Sequence, residues 1–283
     1  MHASFWTGTG ARRDTALSSA AALPTSYFLR RGDTFESTEL TRGPWDPHLQ
    51  HAGPAAALLA GAIEAHPEAS GMTVARLTFE LLRPLRVAGV FRVSVAEGRR
   101  GRRVRGLEAT LMEADGRPAV RATALLVRRA EVPVGNVALP PSVGPVASAE
   151  PWQFPFFTDP VGYHASMEGR RAAGDFGSGA MTVWFRMTRA VVAGEEPTPL
   201  QRLAATADSG NGISVALDLR RYTFVNPDLT ITLLRRPVGE WFALEARTLV
   251  ASEGLGLADT RYWDERGVLG RGVQALVVEP RPE

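Results

Sequence analysis

The sequence contains no cysteine and no lysine, and it has no apolar run of the roughly 20 residues that a membrane-spanning helix needs. Without cysteine, the chain can form no disulfide bond, thiolate metal site or cysteine nucleophile. Without lysine, a Walker-type phosphate loop is excluded, since that motif requires a Gly-Lys pair. The G-x-S-x-G elbow of serine hydrolases is also absent. Several common nucleophilic and nucleotide-binding chemistries are therefore excluded.

The charge balance does not favour a nucleic-acid partner. All 32 basic residues are arginine, which explains a pI of about 9.5 at a formal net charge of only +2. Hydrophobic residues make up 45% of the 283 residues and charged residues 22%, an ordinary globular composition that suits two domains. We expect residues 1–24 to form a flexible tail. Because that tail lacks the features of an export signal, we expect a cytoplasmic location.

Two segments of the chain occur twice. Leu77–Pro84, "LTFELLRP", matches Leu229–Pro237, "LTITLLRRP", with one insertion. Glu108–Val127 matches Asp259–Val278 without a gap, and both contain two apolar strands around a tight turn. This repeat predicts two similar units in tandem, packed about a pseudo-twofold axis as two subunits of a homodimer would be.

Each unit also has a helix rich in small residues before its "LT…RP" strand. The first helix is predicted at Gly53–Ala65, and the second begins near Thr198, where Thr-Pro is a typical start signal. The Pro-, Gly- and Val-rich stretch 130–150 is predicted to link a first unit, 25–129, to a second, 151–283. The repeat places Asp208 opposite Ala56 or Ala57 and Gln274 opposite Thr123.

A helix wrapped by a curved antiparallel sheet, present twice, is an α+β double hotdog. The sequence resembles the double-hotdog acyl-CoA thioesterases of the type II bacterial group. The resemblance spans roughly Tyr27 to Val278 and is carried by the segments "RGPWDPHLQHAGPAAALL", "ARLTFELLRP", "PTPLQRLAATADSGNGIS", "NPDLTITLLRRPVGEW" and "GRGVQALVV". It implies hydrolysis of an acyl-CoA thioester in lipid metabolism, without a metal or redox cofactor.

The resemblance places a catalytic aspartate at Asp208, near the end of the second helix. A carboxylate is electrostatically unfavourable there, because a helix C-terminus carries partial negative charge, so a functional reason is expected. The alternative is that Asp208 caps a turn with Ser209 and Gly210 at a solvated helix end.

Two amides complete the site that the resemblance implies. Gln274 lies in an otherwise apolar strand, where a buried amide must find partners. In the family, a glutamine at the matching place helps to hold the attacking water. Asn226 stands where the family has threonine. It could orient water through its amide, but Asn before Pro is also a common turn signal.

The start of the first helix is the candidate oxyanion site. Related single-hotdog enzymes have His-Gly-Gly where this chain has His51, Ala52 and Gly53, and there a helix N-terminal N–H group polarises the thioester carbonyl. His51 could instead be a helix-entry residue without a chemical role. His48 and His51 could form a metal pair, but no third ligand is evident, and we predict no metal site. The arginine cluster 97–106 is expected to be a solvated turn rather than a CoA phosphate contact.

Two other functions remain open from the sequence. One is a hotdog enoyl-thioester hydratase, which usually pairs an aspartate with a histidine, although no histidine lies beside Asp208 in the sequence. The other is a non-catalytic acyl-thioester or lipid-binding module, in which Ala52 and Asn226 would mark a decayed site. The length of the acyl chain is not evident from the sequence. An exposed sheet edge or face could pair two chains into a homodimer.

Overall fold

The computed structural model describes residues 23–135 and 138–281, so almost all of the predicted tail lies outside the described residues. Within them the chain forms fifteen strands: β1 (Ser26–Arg31), β2 (Thr34–Ser37), β3 (Met72–Leu81), β4 (Val90–Glu97), β5 (Val104–Glu113), β6 (Pro118–Arg128), β7 (Glu150–Trp152), β8 (Met167–Gly174), β9 (Ala180–Met187), β10 (Ala190–Val192), β11 (Tyr222–Val225), β12 (Asp228–Leu233), β13 (Trp241–Val250), β14 (Leu255–Asp264) and β15 (Gly267–Pro280). The helices are α1 (Ala52–Ala65), α2 (Pro199–Ala207) and α3 (Gly210–Ile213), with short 3-10 helices at Glu39–Thr41, Pro67–Ala69, Val146–Ser148 and Tyr163–Ser166.

The sheet has the same strand order in both halves. From the centre outwards, the first half runs β3, β6, β5, β4, β2, β1 and the second runs β12, β15, β14, β13, β9, β8. The halves meet where β3 pairs with β12 antiparallel, with Thr78 opposite Thr230. The side chains of these two threonines hydrogen-bond at 3.2 Å, which places the pseudo-twofold axis between them. The repeated architecture that the sequence predicts is therefore confirmed.

The helix α2 begins where its sequence predicts, and α1 begins at Ala52, one residue before the predicted start. The Thr198 side chain accepts a hydrogen bond from the Gln201 N–H, the Gln201 side chain accepts one from the Thr198 N–H, and Pro199 occupies the first position of α2. The α1 helix is built from small and apolar residues that are mostly buried, as expected for a helix enclosed by sheet and by a second helix. The core thus lies between the curved sheet and the α1–α2 pair.

The strand register corrects one part of the predicted alignment. Glu108 lies opposite Thr123, whereas its counterpart Asp259 lies opposite Val273. The turn of the second hairpin is one residue shorter, so Gln274 corresponds to Ala124 rather than to Thr123. The alternation of faces agrees with this, since Ala124 and Gln274 both point into the core.

The helix starts correct a second part of the alignment. When the N-caps His51 and Thr198 are superposed, Asp208 corresponds to Gly61, and not to Ala56 or Ala57. Both corrections leave an apolar residue or glycine in the first unit opposite each polar group of the second. The polar groups thus still belong to the second unit alone, although their counterparts in the first unit are Gly61 and Ala124.

The stretch between the units has little regular structure. Residues 131–135 and 138–145 have no helix or strand, and β7 begins at Glu150, the last residue of the predicted linker. The domain boundaries 25–129 and 151–283 remain a prediction. No helix within the described part of the chain is long and apolar enough to span a membrane.

Candidate active site

Asp208 is the C-cap residue of α2 and is buried, with 4% of its surface exposed. The alternative of a solvated helix end is therefore wrong. A carboxylate removed from water needs hydrogen bonds to offset its desolvation. The surroundings of Asp208 supply them, and its two oxygens have different partners.

Two side-chain amides bind the same oxygen of Asp208. Asn226 Nδ2 donates to Asp208 Oδ1 at 2.8 Å, and Gln274 Nε2 donates to it at 3.3 Å. Gln274 also donates to the Asp208 backbone carbonyl, and its Oε1 accepts from the Asn211 N–H at 3.1 Å. The chain thus brings together all three predicted polar residues of the second unit. Both amides hold the carboxylate itself.

The position of Asn226 explains how one residue can serve both a turn and the site. It lies between β11 and β12, just before Pro227, and its Nδ2 also donates to the backbone carbonyl of Asp228. This local bond is the turn role expected of Asn before Pro. Gln274 lies behind Asp208 in β15, whereas Asn226 lines the cavity described below.

His51 approaches Asp208 from the first unit. Its Nδ1 is 3.1 Å from Asp208 Oδ2 and also 3.1 Å from the Gly53 backbone nitrogen, whose N–H it accepts as the N-cap of α1. One ring nitrogen cannot donate to Asp208 and accept from Gly53 at once, because it either carries a proton or does not. Burial lowers the pKa of His51, while the charge of Asp208 acts in the opposite direction.

Tyr163 supports His51, although no sequence pattern identifies it as a site residue. The two rings stack in parallel, with centroids 3.8 Å apart. The Tyr163 hydroxyl donates to the Ala205 carbonyl at 2.9 Å and shares a hydrogen bond with Ser209 Oγ. Burial raises the pKa of Tyr163 well above its ordinary value, so the hydroxyl keeps its proton. A tyrosine among Gly and Pro residues has no periodicity to mark it as buried.

Gly53 lies where α1 meets α2. A Cβ atom on Gly53 would lie 2.2 Å from the Ala205 carbonyl oxygen, so no larger residue fits without separating the helices. The predicted oxyanion donor, the Gly53 N–H, thus points to the same region as Asp208 but is bonded to His51.

A cavity of about 440 Å³ opens onto these groups, a size within the range of small-molecule sites. Asp208, Asn226 and His51 line one part of it. The remaining wall is largely aromatic and aliphatic and includes Trp45, Phe154, Phe156, Phe157, Leu81, Leu85 and Val120. The site thus has one polar end and one apolar end. The polar end holds the buried Asp208 carboxylate, Asn226 and the N-terminus of α1, and the rest of the cavity wall is apolar.

Family models match both units of the chain. A model of the acyl-CoA thioesterase N-terminal domain matches residues 41–127, and one of the C-terminal domain matches residues 140–278. Together they account for most of the sequence. The chain belongs to the acyl-CoA thioesterase family. Its activity is accordingly the hydrolysis of acyl-CoA thioesters.

Solved structures share the fold of this acyl-CoA thioesterase. A hot dog fold protein from Alicyclobacillus acidocaldarius superposes with a TM-score of 0.70 at 20% identity, covering 92% of this chain and 97% of its own. An acyl-CoA thioesterase II from Mycobacterium marinum gives 0.62 at 14% identity, covering 89% and 93%. A protein from Novosphingobium aromaticivorans that is assigned as a thioesterase gives 0.69 at 21%, covering 90% and 99%. At these identities the similarity establishes the double hotdog fold. Among curated proteins, none matches the chain.

Two further candidates, the arginine cluster and the His48–His51 pair, gain no role at the cavity of the thioesterase as a phosphate contact or a metal site. The arginine cluster 97–106 forms an exposed connection between β4 and β5 and lines neither that cavity nor the second one described below. In the part of the chain that the structure describes, no three His, Asp or Glu side chains are placed to hold a metal ion, so His48 and His51 gain no third ligand.

Proposed function

We propose that Asp208 is the general base of thioester hydrolysis in this enzyme. The observation that carries the proposal is a buried carboxylate, fixed by two amides, that faces an apolar cavity across from the α1 N-terminus. Asp208 takes a proton from a water molecule as the water oxygen attacks the thioester carbonyl carbon. The C–S bond then breaks, and the departing sulfur takes the proton. A thiol with a pKa of about 8.5 leaves without strong acid assistance.

We propose that the amides act mainly through Asp208. The side-chain N–H groups of Asn226 and Gln274 donate to the Asp208 carboxylate and to backbone carbonyls. These hydrogen bonds fix the orientation of the carboxylate and therefore the direction of its lone pairs. Asn226 lines the cavity, so its carbonyl oxygen is the group that would accept a hydrogen bond from the attacking water. Asn226 thus takes the place of the threonine that resembling enzymes have, with an acceptor in the same role.

We propose that His51 controls the oxyanion donor. With a proton on Nδ1, His51 donates to Asp208 Oδ2 and leaves the Gly53 N–H free for the thioester carbonyl oxygen. Without that proton, Nδ1 caps the Gly53 N–H and withdraws it from the substrate. The two distances of 3.1 Å from one nitrogen support this exchange. A backbone N–H at a helix N-terminus is well suited to stabilise the developing negative charge.

One observation favours a second candidate function. The sequence offers no histidine near Asp208, but His51 meets it across the interface between the units, and an Asp–His pair is what enoyl-thioester hydratases use. The family match supports hydrolysis instead. The non-catalytic module is less compatible with the geometry, because a binding module needs no oriented buried carboxylate.

Free-thiol release from acyl-CoA substrates of increasing chain length, from acetyl to long-chain, separates these functions. Hydrolysis releases free CoA with every productive substrate. Hydration consumes the double bond of an enoyl-CoA and releases no thiol. Binding of acyl-CoA without either reaction would support the non-catalytic binding module. We expect thiol release, with the preferred chain length set by the aromatic wall of the cavity.

Cellular role and assembly are further proposals. We propose a cytoplasmic enzyme of lipid metabolism, because acyl-CoA thioesters are its substrates. A homodimer is proposed through an outer edge of the sheet, where β7 and β10 end the strand order. Sedimentation of the purified chain would test the assembly.

A further inference from the structure

A second cavity, of about 360 Å³, lies at the other end of the α1–α2 pair. Its walls include the N-terminus of α2 at Thr198 and Leu200, the last turn of α1 at Glu64, and the start of β3 at Met72 and Val74. The active cavity is built from the N-terminus of α1, the end of α2 and the segment before β12. The two cavities are thus formed by equivalent elements of opposite units.

The rims of the two cavities carry the same dipeptide. Arg83 and Pro84, just after β3, line the active cavity. Arg236 and Pro237, just after β12, line the second one. These pairs align in the sequence repeat when its one-residue insertion is placed before Arg236. Each cavity mouth thus carries an Arg-Pro pair and a cationic group, although the strand register alone makes Arg83 equivalent to Arg235.

The second cavity also has a carboxylate placed like Asp208. Glu64 of α1 accepts a hydrogen bond from the hydroxyl of Thr198, the N-cap of α2, just as Asp208 at the end of α2 contacts His51, the N-cap of α1. Burial raises the pKa of Glu64, opposed by the Thr198 hydrogen bond and by the charge of Arg236. Glu64 lies about one helical turn further from its N-cap than Asp208 does.

The amides that hold Asp208 have no counterparts here. The repeat places Val74 opposite Asn226, and the strand register places Ala124 opposite Gln274. Neither residue can hold a carboxylate or a water molecule by its side chain. The second cavity therefore keeps equivalent helix ends, a carboxylate and a cationic rim, but it lacks the amides that hold and orient Asp208 in the active cavity.

The rim of the second cavity suits an anion attached to an apolar body. Arg129 and Arg236 line it, and neither forms an ion pair with a carboxylate in the described ranges 23–135 and 138–281. Arginine binds phosphate by paired N–H donors. Met72, Leu126 and Leu233 supply apolar walls below the rim. CoA has this chemistry, because its phosphates are attached to a long uncharged arm.

We propose that this second cavity binds a further molecule of CoA or its thioester and does not hydrolyse it. The proposal rests on the proposed function, since it assigns the second site the same ligand class as the active one. Each chain would then hold two CoA moieties, one beside Asp208 and one beside Glu64, with hydrolysis only at the first.

Calorimetric titration of the full chain with free CoA tests the proposal. We expect two molecules per chain for the wild type and one for Arg236→Glu, because the substitution replaces a phosphate donor by a repelling charge at an exposed position. Arg83→Glu should also leave one, and the double variant none. Arg247→Glu changes the charge equally at an exposed position on β13 that lines neither cavity, and it should keep two.

Several results would overturn the inference. A stoichiometry of one for the wild type, with thiol release intact, would remove the second site and leave the proposed function standing. Inorganic pyrophosphate binding as tightly as CoA at the Arg236-dependent site would make it a general anion site. Hydrolysis that survives Asp208→Asn and is lost on adding Glu64→Gln would make the second cavity catalytic. An absence of both CoA binding and thiol release would instead contradict the proposed function.

Discussion

The oxygens of the Asp208 carboxylate are bound by groups from three parts of the chain: β15, the turn before β12, and the α1 N-terminus. Such a group is costly to bury unless each partner is present, because an unsatisfied buried polar group loses its hydration without compensation. The partners should therefore contribute to stability as well as to chemistry.

Gln274→Ala tests the contribution of one partner to stability. The substitution leaves the Asn211 N–H without its acceptor and the Asp208 backbone carbonyl without its donor. We expect the free energy of unfolding to fall by about 1–3 kcal/mol, measured by urea denaturation. Val273→Ala on the outward face of the same strand is the control and should cost less. If the free energy of unfolding fell equally in the two variants, the Gln274 hydrogen bonds would not contribute measurably to stability.

The buried imidazole of His51 predicts a pH dependence of stability. Burial lowers its pKa in the folded chain, so below about pH 6.5 the unfolded chain binds a proton that the folded chain resists. The stabilising contribution is present above that pH and is lost as the pH falls. Tm should decrease on acidification, and His51→Asn, which keeps an N-cap acceptor, should reduce the decrease. His164, whose pKa burial also lowers, would leave a residual slope of the same sign. An unchanged slope in His51→Asn would contradict the assignment.

At the scale of the elements, the contact between α1 and α2 sets the distance from Asp208 to the α1 N-terminus. Gly53 permits this contact because a side chain there would collide with the Ala205 carbonyl. We expect Gly53→Ala to destabilise the chain by about 1–3 kcal/mol, as overpacking in a filled core does, and to reduce thiol release.

Gly212→Ala is the matched control for that change. A Cβ on Gly212 would meet only Phe156, at an ordinary 3.4 Å, and Gly212 also lies in a helix. Its stability should be unchanged or raised, since alanine is the better helix former. If Gly53→Ala unfolded at the same urea concentration as Gly212→Ala, the close contact between α1 and α2 would not require glycine at position 53.

The sequence predicted these elements better than it predicted their exact correspondence. Repeated strands and the Thr198-Pro199 start identified both units, since local propensity and capping are encoded locally. The equivalent of Gln274 is misplaced because a one-residue difference in a hairpin turn shifts every later pairing and cannot be seen in an ungapped match. The equivalent of Asp208 is misplaced because the stretch from the helix start to the central strand is longer in the second unit. Tyr163 was missed because its role comes from stacking on His51, a residue over one hundred positions earlier.

At the scale of the whole molecule, the two units share one sheet and one helix pair. The β3–β12 pairing and the α1–α2 contact cross the boundary between them. Neither unit can lose its structure without exposing the core surface of the other. We expect differential scanning calorimetry to show one transition, with equal calorimetric and van't Hoff enthalpies. Two resolved transitions would show that the units unfold independently.

Under the proposed mechanism, the same shared boundary gives each chain one hydrolytic site. The second unit supplies Asp208, Asn226 and Gln274, and the first supplies His51 and Gly53. The central claim is that the carboxylate so assembled activates the water that cleaves the thioester.

The most direct test compares thiol release by the wild type and by Asp208→Asn on the best acyl-CoA substrate. The substitution keeps the shape and the Oδ1 acceptor, replaces Oδ2 by an NH2 group beside His51, and removes the charge and basicity. We therefore expect kcat/KM to fall by a factor on the order of 10²–10⁴ with Tm nearly unchanged. Asp33→Asn, at an exposed aspartate far from the cavity, should retain full activity. An Asp208→Asn enzyme that kept more than half of the wild-type kcat/KM would contradict the account.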